Sequence, residues 1–277
     1  MPTSPCNPIR GEVPPAVLDA FGIDSNVESR MLGDVHLFPG LVLKPVTHAA
    51  EGEWCADVLE TVEVAEVRLP RPLRTSTGAA VVMGWCGWER LAGQAAPQRW
   101  ADVLAVAGRL HRGLADRSRP GWMDTKDDLW RQADRYAWDE AALTTTHDRH
   151  VHGLQTLLEQ LETLQVPQRP PSPAQAVHID LLGNVLFAEQ LAPAVIDPTF
   201  YWRPADYAEA VVAVDAATWT TAGTSPLEHL AARGGLPLLI RAARFRIARE
   251  VLNPDASADQ VTAHTRIVTW LLEHNDR

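Results

Sequence analysis

The stretch that decides the fold is Ala176-Val-His-Ile-Asp-Leu-Leu-Gly-Asn-Val-Leu-Phe187, together with Ala194-Val-Ile-Asp-Pro198 a few residues later. Two apolar runs enclose a turn, and polar side chains occur only at selected points. Carboxylate and amide oxygens are hard ligands that suit Mg²⁺, which keeps water and takes few protein ligands. Asn184 and Asp197, at the ends of adjacent predicted strands, can hold Mg²⁺ against nucleotide phosphates. Asp180 lies one loop away, where it can orient a substrate hydroxyl or accept its proton.

Around this stretch the pattern predicts two lobes joined by a short hinge. Residues 1–84 are expected to form a β-rich lobe with one main helix, because short alternating runs separated by turn signals predominate there. Its expected elements are a short helix at Pro14–Phe21, strands at Val35–Phe38, Leu41–Val46, Arg71–Thr75 and Ala79–Met83, and the main helix at Ala49–Val62.

The segment Met83-Gly-Trp-Cys-Gly-Trp88 breaks this pattern with two glycines, and residues 85–88 are predicted as the hinge. Helical periodicity dominates from 89 to 277, which predicts a larger, mostly helical lobe. Its main expected helices are Arg99–Ala115, His147–Leu164, Tyr207–Trp219, Leu236–Leu252 and Ala256–His274. The predicted fold class is therefore α+β.

The series His-x-Asp-Leu, Asn-Val-Leu and Ile-Asp resembles the catalytic core of aminoglycoside phosphotransferase-like kinases. These are small-molecule relatives of protein kinases, and the resemblance runs from Leu41 through Tyr207. It implies a bilobal protein-kinase-like fold and ATP-dependent transfer of the γ-phosphate to a hydroxyl of a small substrate, with amines and sugars as open choices. The implied cofactors are ATP and Mg²⁺.

The resemblance also implies roles for individual residues. Asp180 would be the catalytic base, Asn184 and Asp197 would hold Mg²⁺, and Lys44 would contact the α- and β-phosphates. His178 would shape the catalytic loop. Asp206 resembles the helix-start aspartate that braces this loop.

Lys44 has a physical argument of its own. The chain contains 25 lysines and arginines, of which only Lys44 and Lys126 are lysine. A compact ammonium binds phosphate as a point charge, and the planar guanidinium of arginine is not an equivalent replacement. Kinases pair such a lysine with a helix glutamate. We expect Glu53 to be this partner, since its helix begins soon after Lys44, and Glu60 remains the alternative.

The predicted hinge would present backbone groups of Met83, Trp85 and Cys86 to an adenine ring. The alternative is a simple linker whose tryptophans pack on the larger lobe. Arg203, close after Asp197, could bind a phosphate or form a salt bridge, and the sequence leaves both open.

Two departures from the kinase pattern support a second interpretation, a kinase-like nucleotide-binding protein with weak or no catalysis. Asn184 follows Asp180 by four residues where kinases have five, and Gly183 is expected to absorb the tighter turn. Only Gly33 and Gly40 occur where a glycine-rich phosphate loop should precede Lys44. A third interpretation is a metal-dependent hydrolase with His178 and Asp180 as ligands, which leaves Lys44 unexplained. The histidines between His147 and His152 lack a recognisable ligand spacing.

Composition excludes several other classes. A net charge of −10 leaves no electrostatic footprint for nucleic acid. No stretch approaches the roughly 20 apolar residues of a membrane span, and the N-terminus has no apolar signal core. Cys6, Cys55 and Cys86 are odd in number and widely spaced, which fits a reducing cytoplasm. The expected partner is a small-molecule hydroxyl substrate, and the oligomeric state is left open.

Overall fold

The computed structural model describes residues 12–144, 152–167 and 172–275. Cys6, the N-terminal segment and the histidines at 147 and 150 lie outside this part of the chain.

The described chain alternates short strands with helices of up to 17 residues. The helices are α1 (Pro15–Ala20), α2 (Ala49–Thr61), α3 (Trp100–Leu114), α4 (Leu129–Ala137), α5 (His152–Glu162), α6 (Ala205–Trp219), α7 (Ser225–Ala231), α8 (Leu236–Leu252) and α9 (Ala258–His274). The strands are β1 (Arg30–Leu32), β2 (Val35–Phe38), β3 (Leu41–Pro45), β4 (Val81–Val82), β5 (Trp85–Glu89), β6 (Gln94–Ala95), β7 (Gln175–His178), β8 (Val185–Ala188), β9 (Leu191–Val195) and β10 (Phe200–Arg203).

The chain divides into two compact units. The first comprises Met1–Gln94, Pro120–Asp124 and Val185–Thr199, and the second comprises Ala95–Arg119, Thr125–Asn184 and Phe200–Arg277. The division differs from the predicted one, because the chain leaves the first unit after Gln94 and returns to it twice. A sequence read in order does not reveal such returns, since they depend on packing between distant segments.

The first unit is built on an antiparallel sheet with strand order β1-β2-β3-β5-β4. Side chains alternate between the two faces of a strand, so Phe38 in β2 and Leu43 in β3 are buried on the face that also holds Trp85. Val17 and Leu18 of α1 pack into the same cluster. In the register of β3 and β5, Lys44 lies opposite Cys86.

The expected hinge at 85–88 is corrected by the structure, because these residues form most of strand β5. A tight turn at Met83 and Gly84 joins β4 to β5, and both residues have positive φ, 48° and 78°. Two-residue hairpin loops favour this conformation because it matches the twist of the strands. Gly87 lies within β5, where a Cβ would come within 2.9 Å of Leu43 Cδ2. The two glycines therefore serve a hairpin and a close side-chain approach.

The predicted strand at Arg71–Thr75 forms only an isolated bridge, between Pro72 and Trp88. Proline has no N–H to donate to a ladder, which limits strand formation at this edge. Leu73 still donates to the carbonyl of Gly87 at 2.8 Å.

The second unit is mostly helical. Every residue of helix α6 from Tyr207 to Thr218 is buried except Glu209, as expected for a helix whose apolar residues are not confined to one stripe. Helix α8 packs against α4, α5 and α6, and α9 packs against α5. Strands β7 and β10 pair antiparallel, with His178 opposite Phe200. Among the described residues, no helix is both long enough and apolar enough to cross a bilayer.

Candidate active site

The turn after β7 contains Asp180, which the sequence analysis predicts to be the catalytic base. Asp180 begins this turn two residues after β7 ends, and its side chain is half exposed. The Asn184 backbone N–H donates to the carbonyl of Leu181 at 3.0 Å. Its side-chain Nδ2 donates to the Asp180 carbonyl at 2.7 Å and to Oδ2 of Asp180 at 3.3 Å. The shorter Asp180–Asn184 spacing therefore forms a closed turn in which the two residues contact each other directly.

Gly183 does not enable this turn in the way expected. Its φ is not positive, and a Cβ at this position would meet nothing within 4 Å. The Asn184 amide closes the turn, and neither φ nor space at position 183 requires a glycine.

The strand before the turn is anchored by two buried histidines. The His178 N–H donates to Nε2 of His111 in α3 at 3.1 Å. Burial, reinforced by the neighbouring His178, lowers the pKa of His111 to about 3. His111 is therefore neutral at physiological pH, which leaves Nε2 able to accept this bond. His178 is the last residue of β7 and is fully buried, so it packs in the core directly before the turn.

Sequence reasoning missed the strongest partner of Asp180, which is Arg246 in α8. Nη2 of Arg246 donates to Oδ1 of Asp180 at 2.8 Å, and Nε donates to Oδ1 of Asp215 at 2.7 Å. Nη2 also contacts Oδ2 of Asp215. One guanidinium thus bonds to both carboxylates.

Burial governs the protonation of this group. It raises the pKa of Asp215 to about 6, against the opposing effect of Arg246. Burial alone lowers the pKa of Arg246, but Asp215 and then Asp180 outweigh it, so the net pKa is raised and the guanidinium stays charged. A signal for the pair existed in the sequence, since Asp215 is the only acid in the apolar run Val211-Val-Ala-Val-Asp-Ala-Ala217. A charge buried in such a run needs a partner.

A cavity of about 390 Å³ opens beside Asp180 in the second unit. It is lined by residues from the turn, from α4, α6, α8 and α9, and from the segment before α3, namely Pro97, Trp130, Asp180, Leu182, Gly183, Asp215, Trp219, Arg246, Arg249, Glu250 and His264. This volume lies near the small end of the range of roughly 300–1,000 Å³ for small-molecule sites. The carboxylate of Asp180 therefore faces a space that a small ligand can fill.

The other predicted site residues lie in the first unit, where Lys44 forms an ion pair with Asp197. The Lys44 ammonium donates to Oδ1 of Asp197, and the two side chains are 23% and 49% exposed. Burial alone lowers the pKa of Lys44, but the charge and hydrogen bond of Asp197, together with the nearby Cys86 and Cys55, outweigh burial and raise the net pKa. Asp197 has a φ of 50°, a left-handed conformation that aspartate tolerates better than most residues.

Glu53 does not pair with Lys44 in this structure. Its carboxylate accepts the backbone N–H groups of Ala80 and Val81 at 2.9–3.1 Å, and it lies 3.7 Å from Arg74. Glu60, the alternative, also pairs with Arg74. Both acids therefore face the segment that leads into β4, and the sequence alone could not place that segment beside α2.

Glu51, for which no role was predicted, is the buried acid of α2. It lies in the first turn of the helix, is 8% exposed, and interacts electrostatically with Cys86. Since Cys86 is the register partner of Lys44, Glu51 lies on the side of α2 that faces the lysine strand.

The residues predicted to contact adenine lie in the β4–β5 hairpin and not in a hinge. Met83 is 65% exposed at the hairpin turn, whereas Trp85 and Cys86 are each 1% exposed. Cys86 is paired with Lys44 on one side and with Val81 on the other. The backbone of this strand is therefore engaged within the sheet.

Asn184 and Asp197, the predicted Mg²⁺ ligands, belong to different units. Both offer oxygen atoms: Asn184 uses Nδ2 toward Asp180 and retains Oδ1, and Asp197 presents a half-exposed carboxylate. Each of these oxygen donors is of the hard kind that Mg²⁺ prefers, and Mg²⁺ takes only one or two protein ligands. Within the ranges that the structure describes, no cluster of three or more His, Cys, Asp or Glu residues could hold a metal ion. A hydrolase site built on His178 and Asp180 thus finds no third ligand in those ranges.

Two further residues have structural partners. Arg203 bonds to Asp134 at 2.7 Å and to Glu140 at 2.6 Å. Of the two roles left open by the sequence, phosphate binding and a salt bridge, the structure therefore shows the salt bridge. Asp206 accepts a hydrogen bond from Ser172 at 2.9 Å, ahead of β7. The bracing that was expected of Asp206 is instead provided by Asp215, further along the same helix, through Arg246.

Comparison with solved structures identifies the fold. The chain is similar to an aminoglycoside phosphotransferase from Alicyclobacillus acidocaldarius subsp. acidocaldarius DSM 446, with 16% identity, 96% of each chain covered and a TM-score of 0.54. A microcompartment-associated aminopropanol kinase matches with 15% identity over 95% of both chains and a TM-score of 0.60. A thermostable mutant of aminoglycoside phosphotransferase APH(4)-Ia, in a ternary complex with AMP-PNP and hygromycin B, matches with 14% identity, 93% and 97% coverage and a TM-score of 0.57.

These likenesses define an α+β fold of the aminoglycoside phosphotransferase type, with a small antiparallel sheet in its N-terminal region and a larger helical part, and they confirm the predicted fold class. No protein-family model and no curated protein matches the chain.

Proposed function

We propose that this protein is an ATP-dependent phosphotransferase that transfers the γ-phosphate of ATP to a hydroxyl of a small molecule. The observation that carries the proposal is the position of Asp180, a half-exposed carboxylate held at the wall of a small-molecule cavity by Asn184 and Arg246. The fold of known phosphotransferases over nearly the whole chain supports it.

Asp180 would orient the acceptor hydroxyl and receive its proton. Arg246 has a positioning role, because its bond to Oδ1 leaves Oδ2 of Asp180 with only the long contact to Asn184. A fixed carboxylate lowers the barrier mainly by alignment, which is where most of the catalysis of phosphoryl transfer arises.

Nucleotide and Mg²⁺ binding are assigned to Lys44, Asp197 and Asn184. Lys44 would contact the α- and β-phosphates, and Asp197, with Asn184, would hold Mg²⁺. Bound Mg²⁺ supplies neutralisation of phosphate charge. Lys44 and Asp197 form an ion pair. Binding of the Mg²⁺ nucleotide would replace this pair by two other favourable contacts, Lys44 with phosphate and Asp197 with Mg²⁺. Glu51 is the acid of α2 that we assign to support Lys44.

A paired experiment tests this function. ATP with Mg²⁺ should raise the melting temperature of the wild-type protein, since a ligand that binds only the native state stabilises it. Asp180→Asn should retain that shift and lose phosphoryl transfer to any accepted substrate. Transfer at wild-type rate by this variant, with Asp127→Asn as a surface control, would show that Asp180 is not the base.

A catalytically weak nucleotide-binding protein remains the second candidate, and one observation favours it. The loop between β1 and β2 is a tight turn at Gly33 and Asp34, with Leu32 paired to Val35, and so has no room for an extended glycine-rich loop. A thermal shift with ATP and Mg²⁺, but no transfer across a broad metabolite screen, would support this candidate.

A further inference from the structure

The cavity beside Asp180 is lined by several charged side chains, but these side chains already pair with one another. Its lining includes the carboxylates of Asp180, Asp215 and Glu250 and the guanidiniums of Arg246 and Arg249. Arg246 bonds to the first two acids, and Arg249 lies 3.3 Å from Glu250. Three acids against two arginines leave a single net negative charge. A polycationic ligand would therefore be repelled by two fixed arginines and attracted by only one carboxylate in excess of them.

The aromatic wall is also used by the protein's own cations. The guanidinium carbons of Arg249 and Arg246 lie 4.6 Å and 5.6 Å from the ring centroid of Trp130. An aromatic face that binds a substrate ammonium must be open to it. At Trp130 that position is occupied by arginine, so the ring is not free to serve as a cation site.

His264 supplies the polar recognition that remains. It lines the cavity, is 1% exposed, and within the described chain neither ring nitrogen has a hydrogen-bond partner. Burial, followed by the charge of Arg246, lowers its pKa to about 4, so the ring is neutral at physiological pH. A neutral imidazole offers one donor and one acceptor, which is what a hydroxyl group requires. An unsatisfied buried polar group destabilises the protein, and a ligand that bonds to it removes this cost.

Trp219 is the exposed aromatic neighbour of this imidazole. It lies at the end of α6, is 53% exposed, and packs edge-on against the His264 ring at a centroid distance of 5.6 Å. Both rings line the cavity, so the exposed indole lies beside the imidazole at the cavity wall.

We infer that the cavity binds an uncharged, hydroxyl-rich acceptor of about monosaccharide size, with His264 and Arg249 as specificity-determining residues. The inference rests on the proposed phosphotransferase function and specifies its substrate class. If two ligands differ only in carrying a hydroxyl or an ammonium group at one position, we expect the cavity to bind the hydroxyl ligand more tightly.

Binding of matched ligand pairs tests this inference. The pairs are sugars and cyclitols in which one hydroxyl is replaced by an amine, such as glucose with glucosamine and inositol with an aminocyclitol. Ligand-observed NMR in the presence of ADP and Mg²⁺ should show the hydroxyl member of a pair binding at least tenfold more tightly. Tighter binding by the amine members, or binding by no member of a panel of pentoses, hexoses and cyclitols, overturns the inference.

Variants locate the binding in the cavity. His264→Phe keeps an aromatic ring and should weaken the hydroxyl member at least tenfold, and a melting temperature near that of wild type shows that the variant is folded. Arg249→Gln should shift preference toward amines, whereas the exposed Arg233→Gln, which pairs with Glu209 outside the cavity, should not. Unchanged selectivity in both cavity variants overturns the assignment. Transfer to amine substrates that is lost in Asp180→Asn would overturn the substrate class while leaving the phosphotransferase function intact.

Discussion

Arg246 donates a hydrogen bond to Asp180 at 2.8 Å, and this contact ties the turn after β7 to a helix 66 residues further along the chain. The same guanidinium bonds to Asp215 in α6, so the turn is connected to two buried helices. Both carboxylates need this arginine. Asp215 needs it because it is buried, and Asp180 because an exposed side chain otherwise samples several rotamers.

Replacing Arg246 by lysine tests the positioning role. Arg246→Lys keeps the charge but cannot bond to both carboxylates at once. Loss of one charge-assisted hydrogen bond, about 1.5–3 kcal/mol, should lower kcat about 10- to 100-fold and leave the KM for ATP unchanged. Steady-state kinetics and the melting temperature are measured together, with the exposed Arg233→Lys as control. A wild-type kcat in folded Arg246→Lys would remove this role.

Replacing Lys44 by arginine tests the phosphate contact. Lys44→Arg should preserve the fold and raise the Kd for ATP with Mg²⁺ about tenfold, because the planar guanidinium does not replace a point charge. Isothermal titration calorimetry measures the change. Lys126→Arg is the matched control, since the other lysine of the chain pairs with Asp128 at 3.1 Å in the second unit. Equal affinity in both variants would show that the scarcity of lysine has no functional meaning.

Two alanine variants separate the acids of α2. Glu53→Ala should lower the free energy of unfolding by about 1 kcal/mol, because it removes the acceptor of the Ala80 and Val81 N–H groups, and should leave ATP affinity unchanged. Glu51→Ala should instead weaken ATP binding. Denaturant unfolding and calorimetry on both proteins decide the matter. The reverse pattern would restore Glu53 as the partner of Lys44.

His111 makes the fold sensitive to acid. Its pKa is about 3 in the folded protein and near 6.5 when unfolded, so between these values the unfolded state binds more protons. The free energy of unfolding should therefore fall as the pH falls from 6.5 toward 3, by about 2 kcal/mol at pH 5 relative to pH 8.

His111→Asn can still accept from the His178 N–H but does not titrate, so its stability should depend less on pH over this range. Asp215 acts in the opposite direction between about pH 4 and 6, because its folded pKa is raised. It is common to both proteins and cancels in the difference. Parallel curves of unfolding free energy against pH for the two proteins would contradict the assignment to His111.

Local pattern was enough to predict most elements. The strands at Val35–Phe38 and Leu41–Pro45 and the helix at Ala49–Thr61 follow from alternation and helical periodicity, which depend on neighbours within a few residues. The pattern failed at 85–88, because a glycine that allows a close side-chain approach within a strand has the same sequence signature as a glycine at a break.

The sequence alone determined which residues we assign to the chemistry: the isolated Lys44, the Asp180–Asn184 turn and Asp197 after an apolar strand. Only the tertiary structure decided their partners. Lys44 bonds to an acid 153 residues away, Glu53 binds backbone amides, and Asp180 is held by an arginine in α8. The physical reason is that a side chain's chemistry belongs to the residue, whereas ion pairing depends on distance and burial. Both are set by packing between segments far apart in the chain.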